Sequence, residues 1–108
     1  MTFNDYQQNA VATAIYGAGH SILYPALGLA NEAGEVLGKI KKVLRDRDGI
    51  FDEETNEQIG KEIGDVLWYI AALSRDLNLS MDKIAEDNIQ KLLDRQKRGA
   101  IQGSGDNR

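Results

Sequence analysis

Two long segments of this chain are apolar around most of the circumference of a helix, and each is interrupted by two acids three residues apart. The first pair is Glu32 and Glu35, and the second is Glu62 and Asp65. At about 100° of rotation per residue, this spacing brings both carboxylates of a pair to neighbouring points on one helix face. A helix that is apolar over so wide an arc is expected to be largely buried. The sequence therefore predicts four acids where a chain normally places its core.

Two facing edges of carboxylates repel each other and are costly to remove from water unless a cation lies between them. The chain has no cysteine and one histidine, so the predicted ligands are oxygens. Such a set suits Mg²⁺ or Mn²⁺ and does not suit Zn²⁺ or Cu²⁺. A di-iron centre of the ferritin type is not expected, because it requires Glu-x-x-His pairs that this sequence lacks.

Capping and turn signals divide the chain into four predicted helices, and no segment shows the alternation of a strand. Thr2 opens the first helix, Pro25 suits the first turn of the second, Thr55 begins a capping box, and Ser80 caps a helix that ends at Gly99. The predicted helices span about residues 3–16, 24–44, 55–77 and 81–98. We therefore expect an all-α, four-helix bundle-like protomer.

The length of 108 residues fits one domain. We expect that domain at residues 1–99, followed by a disordered, glycine-containing tail at residues 100–108. The apolar surface of the second and third helices is too wide for one small chain to cover, which predicts a homo-oligomer.

The net charge is −4, from 13 basic and 17 acidic residues. This sign does not suit a protein that binds a nucleic-acid duplex, because such binding depends on a basic surface. No apolar run is long enough to span a membrane, and the N-terminus lacks a signal-peptide pattern. We expect a cytoplasmic protein with no membrane partner.

Two residues lie one helical turn beyond the acid pairs. Lys39 follows Glu35 by four positions, and Tyr69 follows Asp65 by four. Lys39 either neutralises a substrate phosphate or pairs locally with Glu35, and Tyr69 either stacks on a base or belongs to the core. Trp68 is expected on a different edge from the acids, in the core or at an interface.

The predicted fourth helix carries a polar, basic face formed by Asn88, Lys91, Arg95 and Arg98. Taken alone, such a face is usually solvated. Beside four metal-binding acids, however, it completes the groups needed to bind a triphosphate, with Mg²⁺ bridging phosphate oxygens and basic side chains on the outer oxygens. The combination favours a phosphate-binding role.

The motif Glu32-x-x-Glu35, a gap of 26 residues and Glu62-x-x-Asp65 resembles the signature of the MazG-like all-α nucleoside triphosphate pyrophosphohydrolases. Residues 24–35 look particularly like the single-domain members of that family. The similarity spans about residues 24–98 and includes, in order, Asn88, Lys91 and Arg95.

This resemblance implies that the four acids bind Mg²⁺, or Mn²⁺ in its place, and that Glu35 also orients or deprotonates the attacking water. It further implies a phosphate- or metal-supporting role for Asn88, phosphate contacts by Lys91 and Arg95, and a nucleoside pocket lined by His20 and Tyr69. The implied reaction cleaves (deoxy)nucleoside triphosphates between the α and β phosphates, in a homodimer or homotetramer that clears unwanted nucleotides. A phosphoribosyl-ATP pyrophosphohydrolase and a non-catalytic nucleotide-sensing or oligomerisation module are the alternatives.

Overall fold

The computed structural model describes all 108 residues and is all-α, as predicted. Its four α-helices are α1 (Phe3–Val11), α2 (Leu23–Asp46), α3 (Glu53–Asp76) and α4 (Met81–Lys97), and a short 3-10 turn at Ala18–His20 precedes α2. None of these helices combines the length and the apolar character that crossing a bilayer requires.

Two helix ends differ from the prediction. Helix α1 ends at Val11 and does not reach Tyr16, because the Thr13 hydroxyl donates a 2.7 Å hydrogen bond to the Ala10 carbonyl and so competes with continued helix. Helix α3 begins earlier than predicted, since Asp52 is its N-cap. Thr55 is the reciprocal partner in that capping box: each side chain accepts the other residue's backbone N–H at 2.9 Å.

Helices α2 and α3 pack against each other along an antiparallel hairpin, and α1 lies across α3. Helix α4 packs mainly against α1 and makes little contact with the hairpin. The radius of gyration is 16.8 Å, whereas a compact domain of this length has about 13 Å. Within a single chain α4 therefore projects from the other three helices, and the closure of all four into a bundle stays a prediction.

The buried core is small. Its apolar members are Ala10, Val43, Ala71, Ala72 and Met81. Within α2 only Pro25 and Val43 are buried, so the expectation that this helix is largely covered is wrong for one chain. Its apolar surface includes Leu27, Leu37 and Leu44, each more than half exposed. Oligomerisation would cover this surface and stays a prediction.

The segment after α4 turns back at Gly99, which has a φ of +69°. Arg95 donates a 2.6 Å hydrogen bond to the Asp106 carbonyl, and Arg98 donates one of 2.7 Å to the Arg108 carbonyl. These bonds hold the tail along α4. Its disorder, and the domain boundary at residue 99, stay predictions.

Candidate metal centre

Glu32 of α2 and Glu62 and Asp65 of α3 form a carboxylate cluster in the groove between the two helices. One oxygen of each lies within 4.8 Å of the others. The spacing of three residues places Glu62 and Asp65 on one face of α3, and the antiparallel packing brings Glu32 beside them. Two acidic edges thus face each other, as the sequence indicated.

Negative charge accumulates in this carboxylate cluster. Burial raises the pKa of Glu32, and the charges of Asp65, Glu62 and Glu35 raise it further. The nearby cation is Lys39, whose Nζ lies 3.9 Å from Glu62 Oε1. Lys39 therefore reaches across to α3 and does not pair with Glu35 of its own helix. One ammonium group beside three carboxylates leaves an excess of negative charge for a further cation to neutralise.

The donor set fits a hard divalent cation. All three donors are carboxylate oxygens, the ligand type that Mg²⁺ and Mn²⁺ prefer. Oxygens bound to one Mg²⁺ are about 2.9 Å apart when adjacent and about 4.2 Å apart when opposite, so three oxygens within 4.8 Å of one another must move closer together to share one ion.

Glu35 lies outside the carboxylate cluster and is exposed. No oxygen of Glu35 belongs to the group of carboxylate oxygens that lie within 4.8 Å of one another. The structure therefore brings together three of the four predicted acids. The charge of Glu35 still contributes to the raised pKa of Glu32.

An open cleft of 350 Å³ adjoins the carboxylate cluster and is lined by Glu32, Asp65, Trp68 and Tyr69. The expectation that Trp68 lies on a different edge from the acids is wrong. Trp68 follows Asp65 by three residues, the same spacing that joins the acids, so the sequence contained the signal. Its Nε1 donates a 2.8 Å hydrogen bond to the Thr13 hydroxyl, which fixes the indole at the wall of this cleft.

Tyr69 both lines the cleft and packs between helices. A Cβ atom added at Gly28 would lie 2.1 Å from Tyr69 Cε1, so the glycine is required for this contact. Gly38, in contrast, has no such neighbour within 4 Å. Burial raises the pKa of Tyr69, and the neighbouring Tyr24 adds to the shift, which keeps the hydroxyl protonated.

His20 lies in the 3-10 turn before α2, exposed and apart from the residues that line the cleft. Asp76 anchors this segment: its Oδ2 accepts hydrogen bonds from the Ile22 amide and the Tyr16 hydroxyl, both 2.9 Å long. Ile22 has a φ of +66°, which is unusual for a β-branched residue. Sequence reasoning missed this anchor because its partners are separated by more than 50 residues.

Asn88, Lys91 and Arg95 of α4 do not line the cleft. Asn88 is exposed. Lys91 Nζ lies 3.4 Å, and Arg95 Nη2 lies 3.5 Å, from the carboxylate of Asp106 in the tail. Within one chain the structure therefore does not bring these three residues to the carboxylate cluster, and their phosphate-binding role stays a prediction.

Comparison of the sequence with those of known proteins identifies the family of this chain. Residues 21–100 match the MazG nucleotide pyrophosphohydrolase domain. The chain is 45% identical over 109 residues to the Gene 37 protein of Mycobacterium phage L5, an alignment that covers 95% of this chain and 96% of that protein. No solved structure matches the chain. The matched region contains α2, α3, α4 and the whole carboxylate cluster, and the chain belongs to the MazG nucleotide pyrophosphohydrolase family.

Proposed function

We propose that this protein hydrolyses (deoxy)nucleoside triphosphates between the α and β phosphates in a Mg²⁺-dependent reaction. The products are a nucleoside monophosphate and pyrophosphate. The observation that carries the proposal is the carboxylate cluster of Glu32, Glu62 and Asp65, which opens onto a cleft walled by two aromatic rings. Membership of the MazG family supports a nucleotide as the substrate.

The reaction adds water across the phosphoanhydride bond between the α and β phosphorus atoms. Glu32, Glu62 and Asp65 would hold the divalent cation, which would supply Lewis-acid polarisation of the phosphoryl group. Glu35 lies beside this set without belonging to it, so its carboxylate is available to accept the proton of the attacking water. Lys39, next to Glu62, provides positive charge for the phosphate oxygens.

The nucleoside end of the substrate lies in the cleft. Trp68 and Tyr69 offer aromatic surfaces on which a base stacks, and their ring centroids are 5.0 Å apart. His20, in the 3-10 turn before α2, stays a predicted member of this nucleoside pocket.

Three polar residues of α4 remain in the proposal as phosphate contacts: Asn88, Lys91 and Arg95. Lys91 and Arg95 are paired with Asp106 in the single chain, so the tail must release them for this role. Assembly into a homodimer or homotetramer covers the exposed leucines of α2 and brings α4 of one copy near the groove of another.

A panel of nucleoside and deoxynucleoside triphosphates, together with phosphoribosyl-ATP, tests the proposal. Each compound is incubated with the protein and Mg²⁺, and the release of pyrophosphate is measured with an EDTA-treated sample as control. We expect release from one or more triphosphates. Binding without release from any of them would indicate a nucleotide-sensing module, and release from phosphoribosyl-ATP alone would assign that substrate.

A further inference from the structure

The tail at residues 100–108 folds back as a loop along the basic face of α4. Arg108 closes the loop with three hydrogen bonds of 2.7, 2.9 and 3.2 Å from its guanidinium to backbone carbonyls of the tail. The Ala100 amide donates a 2.7 Å hydrogen bond to the Arg95 carbonyl in the last turn of α4. The tail therefore has its own internal bonds and a fixed point of attachment to the helix.

One carboxylate oxygen of the tail lies between two basic side chains of α4. Asp106 Oδ1 is 3.4 Å from Lys91 Nζ and 3.5 Å from Arg95 Nη2. Lys91, and after it Arg95, lowers the pKa of the Asp106 carboxyl group, so this group is an anion at neutral pH. Lys91 and Arg95 thus share one anionic oxygen, as they would share an oxygen of a phosphate group.

The tail leaves one donor of Arg95 unused. The Arg95 side chain is only 6% exposed, and its Nε is buried without a hydrogen-bond acceptor. The hydrogen bonds from Arg95 to the tail come from Nη2 alone, and they go to the backbone carbonyls of Gly105 and Asp106. An oxyanion with several oxygens commonly accepts from two nitrogens of a guanidinium at once. The tail is therefore an incomplete partner for this arginine.

The ion pairs that Asp106 forms are weak enough to be exchanged. Its side chain is 87% exposed, and that of Lys91 is 39% exposed. Water and salt screen an ion pair in such a position, so it contributes little to stability. A ligand with more negative charge and more oxygens than one carboxylate can displace it.

We propose that the tail is autoinhibitory: Asp106 occupies the phosphate-binding position of Lys91 and Arg95 and must leave before a polyphosphate binds there. The inference rests on the proposed function, in which Lys91 and Arg95 contact phosphates. Only molecules whose tail is released are competent to bind through these two residues, so the closed tail lowers the apparent affinity for polyphosphate. A polyphosphate in turn shifts the equilibrium toward the released tail.

Calorimetric titration with inorganic tripolyphosphate in the presence of Mg²⁺ tests the proposal, and Asp106→Asn is the informative variant. Glu86→Gln is the matched control, because Glu86 is exposed on α4 and, unlike Asp87 and Asp94, forms no ion pair. We expect Asp106→Asn to tighten tripolyphosphate binding about threefold to fivefold, as loss of an exposed ion pair in the closed state implies. Glu86→Gln should change the affinity by less than about 1.5-fold, since it removes a charge without releasing the tail.

Nuclear magnetic resonance relaxation reports the displacement of the tail directly. In the free wild type the backbone amides of Gly105 and Asp106 should have order parameters near those of rigid backbone, about 0.85. At saturating tripolyphosphate these values should fall below about 0.6, which is typical of flexible segments. This measurement does not depend on turnover.

Equal tripolyphosphate affinities of Asp106→Asn and Glu86→Gln would overturn the inference, as would order parameters of the tail that do not change on binding. If triphosphates are hydrolysed in that case, the proposed function stands without control by the tail. Displacement of the tail and tighter binding by Asp106→Asn, in a protein that hydrolyses no triphosphate, would preserve the tail as a control on polyphosphate binding and refute the enzyme.

Discussion

Helix α3 carries two aspartates with opposite surroundings. Asp76 accepts hydrogen bonds from the Ile22 amide and the Tyr16 hydroxyl and pairs with Arg75 at 3.1 Å. Asp65 instead lies among the like charges of the carboxylate cluster. The protein supplies partners for the first carboxylate and leaves the second to an external cation.

The pKa shifts express the same difference. Burial by itself raises the pKa of Asp76, but the hydrogen bonds and the charge of Arg75 outweigh it and lower the pKa below its ordinary value. In the carboxylate cluster, burial and like charges act in the same direction and raise the pKa of Glu32. A carboxylate with protein donors stabilises the fold, whereas carboxylates grouped without them are arranged for binding.

The largest expected effect follows from neutralising the cluster. Asp65→Asn should lower turnover by about 10³-fold, because it removes a ligand of the cation that stabilises the transition state. Folding should be intact, since the substitution also removes repulsion from Glu32. Steady-state kinetics and thermal unfolding measure the two effects. Retained turnover would contradict the assignment of Asp65 as a ligand.

Glu35→Gln tests the boundary of the carboxylate cluster. We expect turnover to fall by about 10²-fold or more, because the variant cannot accept a proton from water. Mg²⁺ affinity, measured by calorimetry, should change little, since Glu35 lies outside the cluster. A large loss of Mg²⁺ affinity would show that Glu35 is a fourth ligand, and unchanged turnover would exclude it from the reaction.

Substitution of Asp76, the carboxylate with protein donors, should change the stability of the fold. Asp76→Asn should lower the free energy of unfolding by about 2–3 kcal/mol, because Arg75 and the other donors lose a charged acceptor whose side chain is only 5% exposed. Urea unfolding measures the loss, and Asp65→Asn serves as the matched control on the same helix. Equal losses in the two variants would remove the distinction between the two sites.

The pH dependence of stability provides the finest test. Because folding lowers the pKa of Asp76, its contribution is present above the unfolded value of about 3.9 and is lost as the pH falls through the lower folded value. The stability difference between the wild type and Asp76→Asn should therefore shrink below about pH 4. Urea midpoints measured from neutral to acidic pH would disprove this if the difference stayed constant.

The sequence was most informative where the interactions are local. Helical periodicity predicted the four helices, and the acid spacing predicted which edges of α2 and α3 carry charge. The same local signals were ambiguous at Thr55, because a threonine can serve as the N-cap or as the reciprocal partner of one. Both roles fit the residues that follow it.

Interactions between distant parts of the chain could not be read in the same way. Periodicity assigns a residue to a face but does not identify the helix that covers that face, so the exclusion of Glu35 and the projection of α4 were not foreseen. The bond from Ile22 to Asp76 spans 54 positions and depends on an unusual backbone angle. Such contacts depend on the complete packing of the chain.

Trp68 is the single tryptophan of the chain, and it stands at the wall of the cleft beside Glu32 and Asp65. Its intrinsic fluorescence therefore comes from one known place, within reach of any cation or base that enters. The intensity and wavelength of this emission therefore report ligand binding in the cleft, without a dye or an engineered label. Stopped-flow mixing can then follow the arrival of each ligand in real time.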